Sequence, residues 1–88
     1  MRVELSPRFK REYKKLSSED HERTKKAVEL FVKDRNHPSL RFKKIQGFDE
    51  KPDIMEISVT MEIRISLQIY PDHYYFRHIG SHKILKKP

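Results

Sequence analysis

The 88-residue chain has no cysteine, so it offers neither a disulfide framework nor a thiolate metal site, and its composition suits a reducing compartment. No apolar run approaches the roughly 18 residues that a membrane-spanning helix needs. The opening MRVELSPRFK alternates charge with apolar groups where a secretory signal has a continuous apolar region. The expectation is a cytoplasmic protein that is neither secreted nor inserted in a membrane. Paired metal-ligand spacing is also missing, since the five histidines are scattered at positions 21, 37, 73, 78 and 82, and no cofactor is implied. Apolar residues are few, at 35% of the chain against 38% charged, which predicts a thin core under a heavily solvated surface. A chain of 88 residues has interior enough for one core, so residues 1–88 read as a single domain.

Positive charge is plentiful. Twenty Lys and Arg against 13 Asp and Glu give a net charge of +7. The excess is 11 against 7 up to residue 40 and 9 against 6 beyond it, so it describes a distributed basic surface rather than a detached tail. Such a surface favours a polyanion or an acidic protein as partner.

The pattern predicts an α+β domain. Residues 2–5, RVEL, form a short alternating stretch, and Ser6-Pro7 is a helix start, with a capping hydroxyl followed by proline at the first helical position. Phe9, Tyr13 and Leu16 make an apolar stripe on this first helix. Ser17-Ser18-Glu19-Asp20 opens a second helix that carries Ala27, Val28, Leu30 and Phe31 and stops near Arg35, ahead of Asn36-His37-Pro38. The two helices form a hairpin. Leu40, Phe42 and Ile45 suggest a short strand ended by Gly47. Then IMEISV, IRISLQIY and HYYFRHI predict a meander of three antiparallel strands.

The middle strand assigns the faces, because Ile63, Ile65, Leu67 and Ile69 alternate with Arg64, Ser66, Gln68 and Tyr70. A hairpin centred on Met61 sets Ser58 opposite Arg64 and Glu56 opposite Ser66; one centred on Pro71-Asp72 sets Ser66 opposite Arg77 and Arg64 opposite Ile79. The apolar face receives the helices. The other face carries Glu56, Ser58, Arg64, Ser66, Gln68, Tyr75 and Arg77, and His78 turns inward as a core histidine. A strand broken at Gly80 brings His82 near Arg64, so that Arg64, Arg77, Glu56 and His82 converge on one exposed patch. That set suits metal-free RNA cleavage. A base takes the proton of a 2′-hydroxyl, guanidinium groups stabilise the crowded phosphate, and an acid protonates the leaving oxygen. The plainer reading of Arg64 and Glu56 is a cross-strand charge pair, and of Lys83, Lys86 and Lys87 a solvated segment.

Three stretches, HPSLRFKKIQG (37–47), MEISVTMEIRISLQIY (55–70) and RHIGSHKIL (77–85), stand in an order and spacing that resembles the RelE/ParE superfamily of bacterial type II toxin-antitoxin toxins. They correspond to that family's leucine-lysine segment, its Trp-Glu-Ile-Arg type strand followed by an arginine, and its Gly-Thr-His type ending. The resemblance implies a helical hairpin on a small, mostly antiparallel sheet. Within the superfamily the chain is most similar to RelE-like and YafQ-like mRNA interferases, which cut mRNA, commonly on the ribosome, and are neutralised by an antitoxin encoded beside them. By that likeness His82 is the catalytic acid or base and Arg64 the phosphate-binding strand arginine, while Glu56, read from the strand pairing and not from the likeness, is an orienting or basic carboxylate. Arg77, Lys43, Lys44, Lys83 and Lys86 supply further RNA contacts, and an acidic antitoxin is the partner. Three positions depart. Glu56 and Ser58 stand where RelE-like toxins place lysines, and Met55 stands where many relatives have tryptophan. The alternative is a ParE-like toxin that binds DNA gyrase without nuclease chemistry.

Overall fold

The computed structural model describes residues 1–88. Its elements follow in the order β1 (Arg2–Leu5), α1 (Pro7–Lys14), α2 (Ser18–Lys33), β2 (Lys43–Lys44), β3 (Ile54–Ser58), β4 (Arg64–Ile69) and β5 (His73–Gly80), with 3₁₀ helices at Pro38–Leu40 and His82–Lys86. Local chemistry accounts for both helix starts. Ser6 lies in extended backbone and its hydroxyl accepts the Phe9 N–H at 2.9 Å, while Pro7 occupies the first turn without needing a donor. Ser17 likewise accepts the Asp20 N–H at 3.1 Å, and Glu19 and Asp20 set negative charge at the positive end of the α2 dipole. No helix is long and apolar enough to cross a membrane.

The strand suggested by Leu40, Phe42 and Ile45 is reduced to Lys43–Lys44. Pro38–Leu40 instead closes a 3₁₀ turn whose following residue, Arg41, adopts left-handed backbone with φ 49°. That turn buries Leu40 and interrupts the extended path, so only two residues remain to pair with β3 at Glu56 and Met55.

The five-stranded sheet has the order β1-β5-β4-β3-β2, with β1 parallel to β5 and the other pairs antiparallel. The β3–β4 hairpin has the expected register, Ser58 opposite Arg64 and Glu56 opposite Ser66. The β4–β5 hairpin begins as expected, with Ile69 opposite Tyr74 and Gln68 opposite Tyr75, and then slips. Leu67 pairs with Phe76 but Ser66 pairs with His78, leaving Arg77 as the extra residue of a β-bulge. Beyond it Ile79 faces Ile65 and Arg64 faces Gly80, not Ile79. Burial explains the slip. Strict pairing would set Ile79 among the polar side chains and His78 in the core, whereas the bulge buries Ile79 to 1% exposure within the hydrophobic cluster. Gly80 therefore does not break the strand but pairs in it, and the strand gives way at Ser81, whose hydroxyl accepts the Lys83 N–H and starts the 3₁₀ helix.

The core is thin but complete. Phe31 of α2 is fully buried and meets Tyr74 and Phe76 edge-on, with ring centroids 4.7 and 6.0 Å away, and Phe42 at 5.7 Å. Phe9 of α1 reaches Phe76 at 5.8 Å, and Ile57, Ile65, Leu67 and Ile79 form the sheet side of the same cluster. Tyr13 and His21 stack at 4.2 Å, and His21 Nε2 lies 2.7 Å from the Tyr13 carbonyl oxygen, tying α1 to α2.

Candidate active site

The second face of the sheet gathers the side chains expected there, but under cover. Glu56 and Arg64 are 5% and 7% exposed, not parts of an open patch. The 3₁₀ helix His82–Lys86 packs on β4 and β5, and the chain beyond it lies over the centre of the face. The main-chain oxygen of Pro88 accepts Ser66 Oγ at 3.1 Å and Arg77 Nε at 2.9 Å. From the other side Pro52 accepts Gln68 Nε2 at 2.8 Å. Burial of so many polar groups is sustained because nearly all find partners.

Arg64 projects from β4 opposite Gly80; its guanidinium donates to the Thr60 carbonyl and Nε lies 4.0 Å from Glu56 Oε1. The same Glu56 oxygen is 3.9 Å from Lys43 Nζ. Glu56 is thus a buried carboxylate between two cations, fitted to hold Arg64 in place. Arg77 is re-aimed by the bulge so that its Nη1 donates to Gln68 Oε1 at 2.7 Å and stands 3.4 Å from Glu50. The two arginines therefore share one face, each oriented by a carboxylate.

The remaining expected residues are spread around this pair. Lys44 is drawn away to Asp53, at 3.8 Å, and the hydrogen bond from Lys51, ahead of the Lys44 charge, holds the Asp53 carboxyl below its usual range. His82 is exposed at the start of the 3₁₀ helix, two residues past Gly80, and takes part in no side-chain hydrogen bond or ion pair. Lys83 and Lys86 lie on that helix and border a cavity at the end of β5. His78, read from the sequence as an inward core histidine, belongs instead to the polar side, paired with Ser66 and reached by Glu12. Strict alternation concealed it, and only the apolar demand of Ile79 signals the bulge that turns it.

No protein-family model and no curated sequence matches the chain. Solved structures do. YafQ from E. coli superposes with a TM-score of 0.75 at 15% identity, covering 97% of this chain and 98% of that one. RelE of the RelB-RelE antitoxin-toxin complex from Methanococcus jannaschii gives 0.72 at 20% identity, over 97% and 96%. YoeB of Staphylococcus aureus, solved as a dimer, gives 0.76 at 10% identity, over 93% and 97%. At such identities the agreement is in the path of the backbone, and it spans whole chains. The expected α+β architecture is the one observed: the chain has the fold shared by YafQ, RelE and YoeB.

Proposed function

We propose that the chain is the toxin of a type II toxin-antitoxin pair and that it cleaves mRNA in the cytoplasm, on the ribosome, without a metal ion. The observation that carries this reading is the placement of Arg64 and Arg77 on one face of the sheet, each oriented by a carboxylate, with exposed His82 two residues beyond the Gly80 that faces Arg64. In the reaction the 2′-oxygen of the substrate loses its proton to a base and bonds to the adjacent phosphorus. The bond to the 5′-oxygen breaks, and that oxygen takes a proton, leaving a 2′,3′-cyclic phosphate and a 5′-hydroxyl. His82 acts as acid or base, because imidazole exchanges protons near neutrality. Arg64 and Arg77 meet the charge that develops on the phosphate. Glu56, enclosed between Arg64 and Lys43, serves as the orienting carboxylate. The partner is an acidic antitoxin, in keeping with the solved DinJ-YafQ and RelB-RelE complexes.

His82→Gln leaves the core untouched and is expected to lower cleavage by about 10²–10⁴-fold. Cells expressing it without antitoxin should grow, and the ends of cut mRNA seen with the parent chain should disappear. Full toxicity of this variant, with the same cut ends, removes His82 from the mechanism.

A second reading rests on the internal pairing of both arginines: Arg64 is taken by Glu56 and the Thr60 carbonyl, and Arg77 by Gln68, Glu50 and Pro88. On that reading the chain is a ParE-like toxin that binds DNA gyrase without chemistry. Growth arrest with intact mRNA in both the parent and the His82 variant selects it.

A further inference from the structure

Strand β5 outruns β1, which pairs only as far as Phe76. Past that point its edge is completed by α1. Ser6 N–H donates to the Phe76 carbonyl at 2.9 Å and Ser6 Oγ to the Arg77 carbonyl at 2.6 Å, and the Ile79 N–H donates to Glu12 Oε1 at 3.2 Å. Glu12 does more than close the edge. Its two oxygens lie 3.3 and 3.4 Å from Nδ1 of His78. A carboxylate there accepts a hydrogen bond from Nδ1–H and fixes the ring, so that Nε2 is the nitrogen left to meet a ligand.

This histidine borders a cavity of about 370 Å³ whose other lining residues are Arg8, Glu12, Lys83, Ile84, Lys86 and Lys87. Four of the lining groups are cations, against the single carboxylate that His78 and Ile79 already engage, and none of the four is in an ion pair. An adjoining cavity shares Arg8, His78 and Lys87 and continues to Arg77 with its partner Glu50. A strip of cations therefore leads from Arg77, across His78, to the 3₁₀ helix. We propose that this cavity seats a backbone phosphate of a single-stranded RNA, held by Arg8, Lys83, Lys86 and Lys87 against the Glu12-anchored ring of His78.

The lining favours a nucleic acid over an acidic peptide. Peptides that dock on domains anchor through apolar side chains, and here Ile84 alone would receive one. Phosphates recur along a strand, which fits a second seat beside Arg77, and lysine and arginine are the groups that displace counterions from them. The strand's assignment as RNA rests on the proposed nuclease reading; the phosphate seat rests on the cavity itself.

The test uses a 2′-O-methyl RNA hexamer, which binds but cannot be cut. Its addition is expected to shift the ring resonances of His78, and its affinity should fall linearly in log–log form with salt. Arg8→Ala/Lys87→Ala alters two exposed side chains and preserves the fold. It should weaken binding alike for different sequences and reduce the salt slope by about 0.7 for the one phosphate lost. An unchanged slope together with unmoved His78 resonances overturns the proposal. Equal affinity for inorganic phosphate overturns the strand as occupant, and equal affinity for poly-glutamate of matched charge overturns phosphate recognition. If the parent chain cuts no RNA yet binds the hexamer with a slope that the variant reduces, the nuclease reading fails and the cavity stands. If cutting depends on His82 while the slope is unaltered, the cavity fails and the nuclease stands.

Discussion

Two polar groups, one half-buried and one buried, mark the opposite limits of what one side chain contributes. Glu12 is on a helix surface by sequence, yet it satisfies the Ile79 N–H and steadies His78. Ser58 Oγ is buried with no hydrogen-bond partner. Truncating the first strands a buried donor, and truncating the second removes an unsatisfied one. Glu12→Ala is therefore expected to lower unfolding stability by about 1–3 kcal/mol, and Ser58→Ala to leave it unchanged or raise it by about 1 kcal/mol. Urea denaturation measures both, and equal losses in the two variants would refute the argument. Ser58 also stands at a departure from the RelE-like pattern, so its loss is not expected to reduce the proposed RNA cleavage. Titration of the loop carboxylates is separate from all this. Asp72 is held below its usual range chiefly by the hydrogen bond from His73, which favours the folded state above the ordinary Asp pKa and is lost as the pH falls through the lowered value. Both residues sit at the β4–β5 turn.

Among the elements, β5 decides the site. Its bulge at Arg77 lets one strand serve two needs, supplying Tyr74, Phe76 and Ile79 to the core and Arg77 and His78 to the polar side. Its last residue is glycine for a local reason. A Cβ built on Gly80 would stand 3.0 Å from Ile84 Cγ2, so the absence of a side chain lets the 3₁₀ helix lie close on the sheet. Gly80→Ala must push Ile84 outward. Inserting a methyl into a packed contact costs about 1–3 kcal/mol, and here the loss falls on the helix. Hydrogen exchange at the Ile84 and Lys87 amides, which bond to the Ser81 and Ile84 carbonyls at 3.0 and 3.2 Å, should quicken about fivefold or more. The Leu67 amide should keep its protection. Unaltered exchange in the 3₁₀ helix would show that Ile84 yields without cost.

At the scale of the whole molecule, a net charge of +7 on 88 residues attracts anions over a Debye length and repels like-charged copies. The proposed antitoxin is accordingly acidic and folds as it docks. Co-expression with an acidic protein encoded beside this gene should yield one complex through successive columns. Elution as two separate proteins would count against the pairing, and persistence of the complex in molar salt would show that apolar burial, more than charge, holds it.

Much of the fold was legible without coordinates. Ser6-Pro7 and Ser17 specify helix starts by hydrogen bonds that reach only three residues along the chain, and the alternation from Ile63 to Tyr70 names a two-faced strand on its own. The β3–β4 register followed from a short turn. What escaped reading depended on competition between distant residues. Whether Ile79 or His78 enters the core is settled by Ile65 and the space beneath α1, and the answer moves Arg64 from Ile79 to Gly80. The cover over Ser66 and Arg77 needs Pro88, 22 residues beyond Ser66, to fold back, and the Glu12–His78 contact joins positions 66 residues apart. Periodicity carries no trace of such pairings, because it records only which face a residue takes, and tertiary packing alone selects its neighbours.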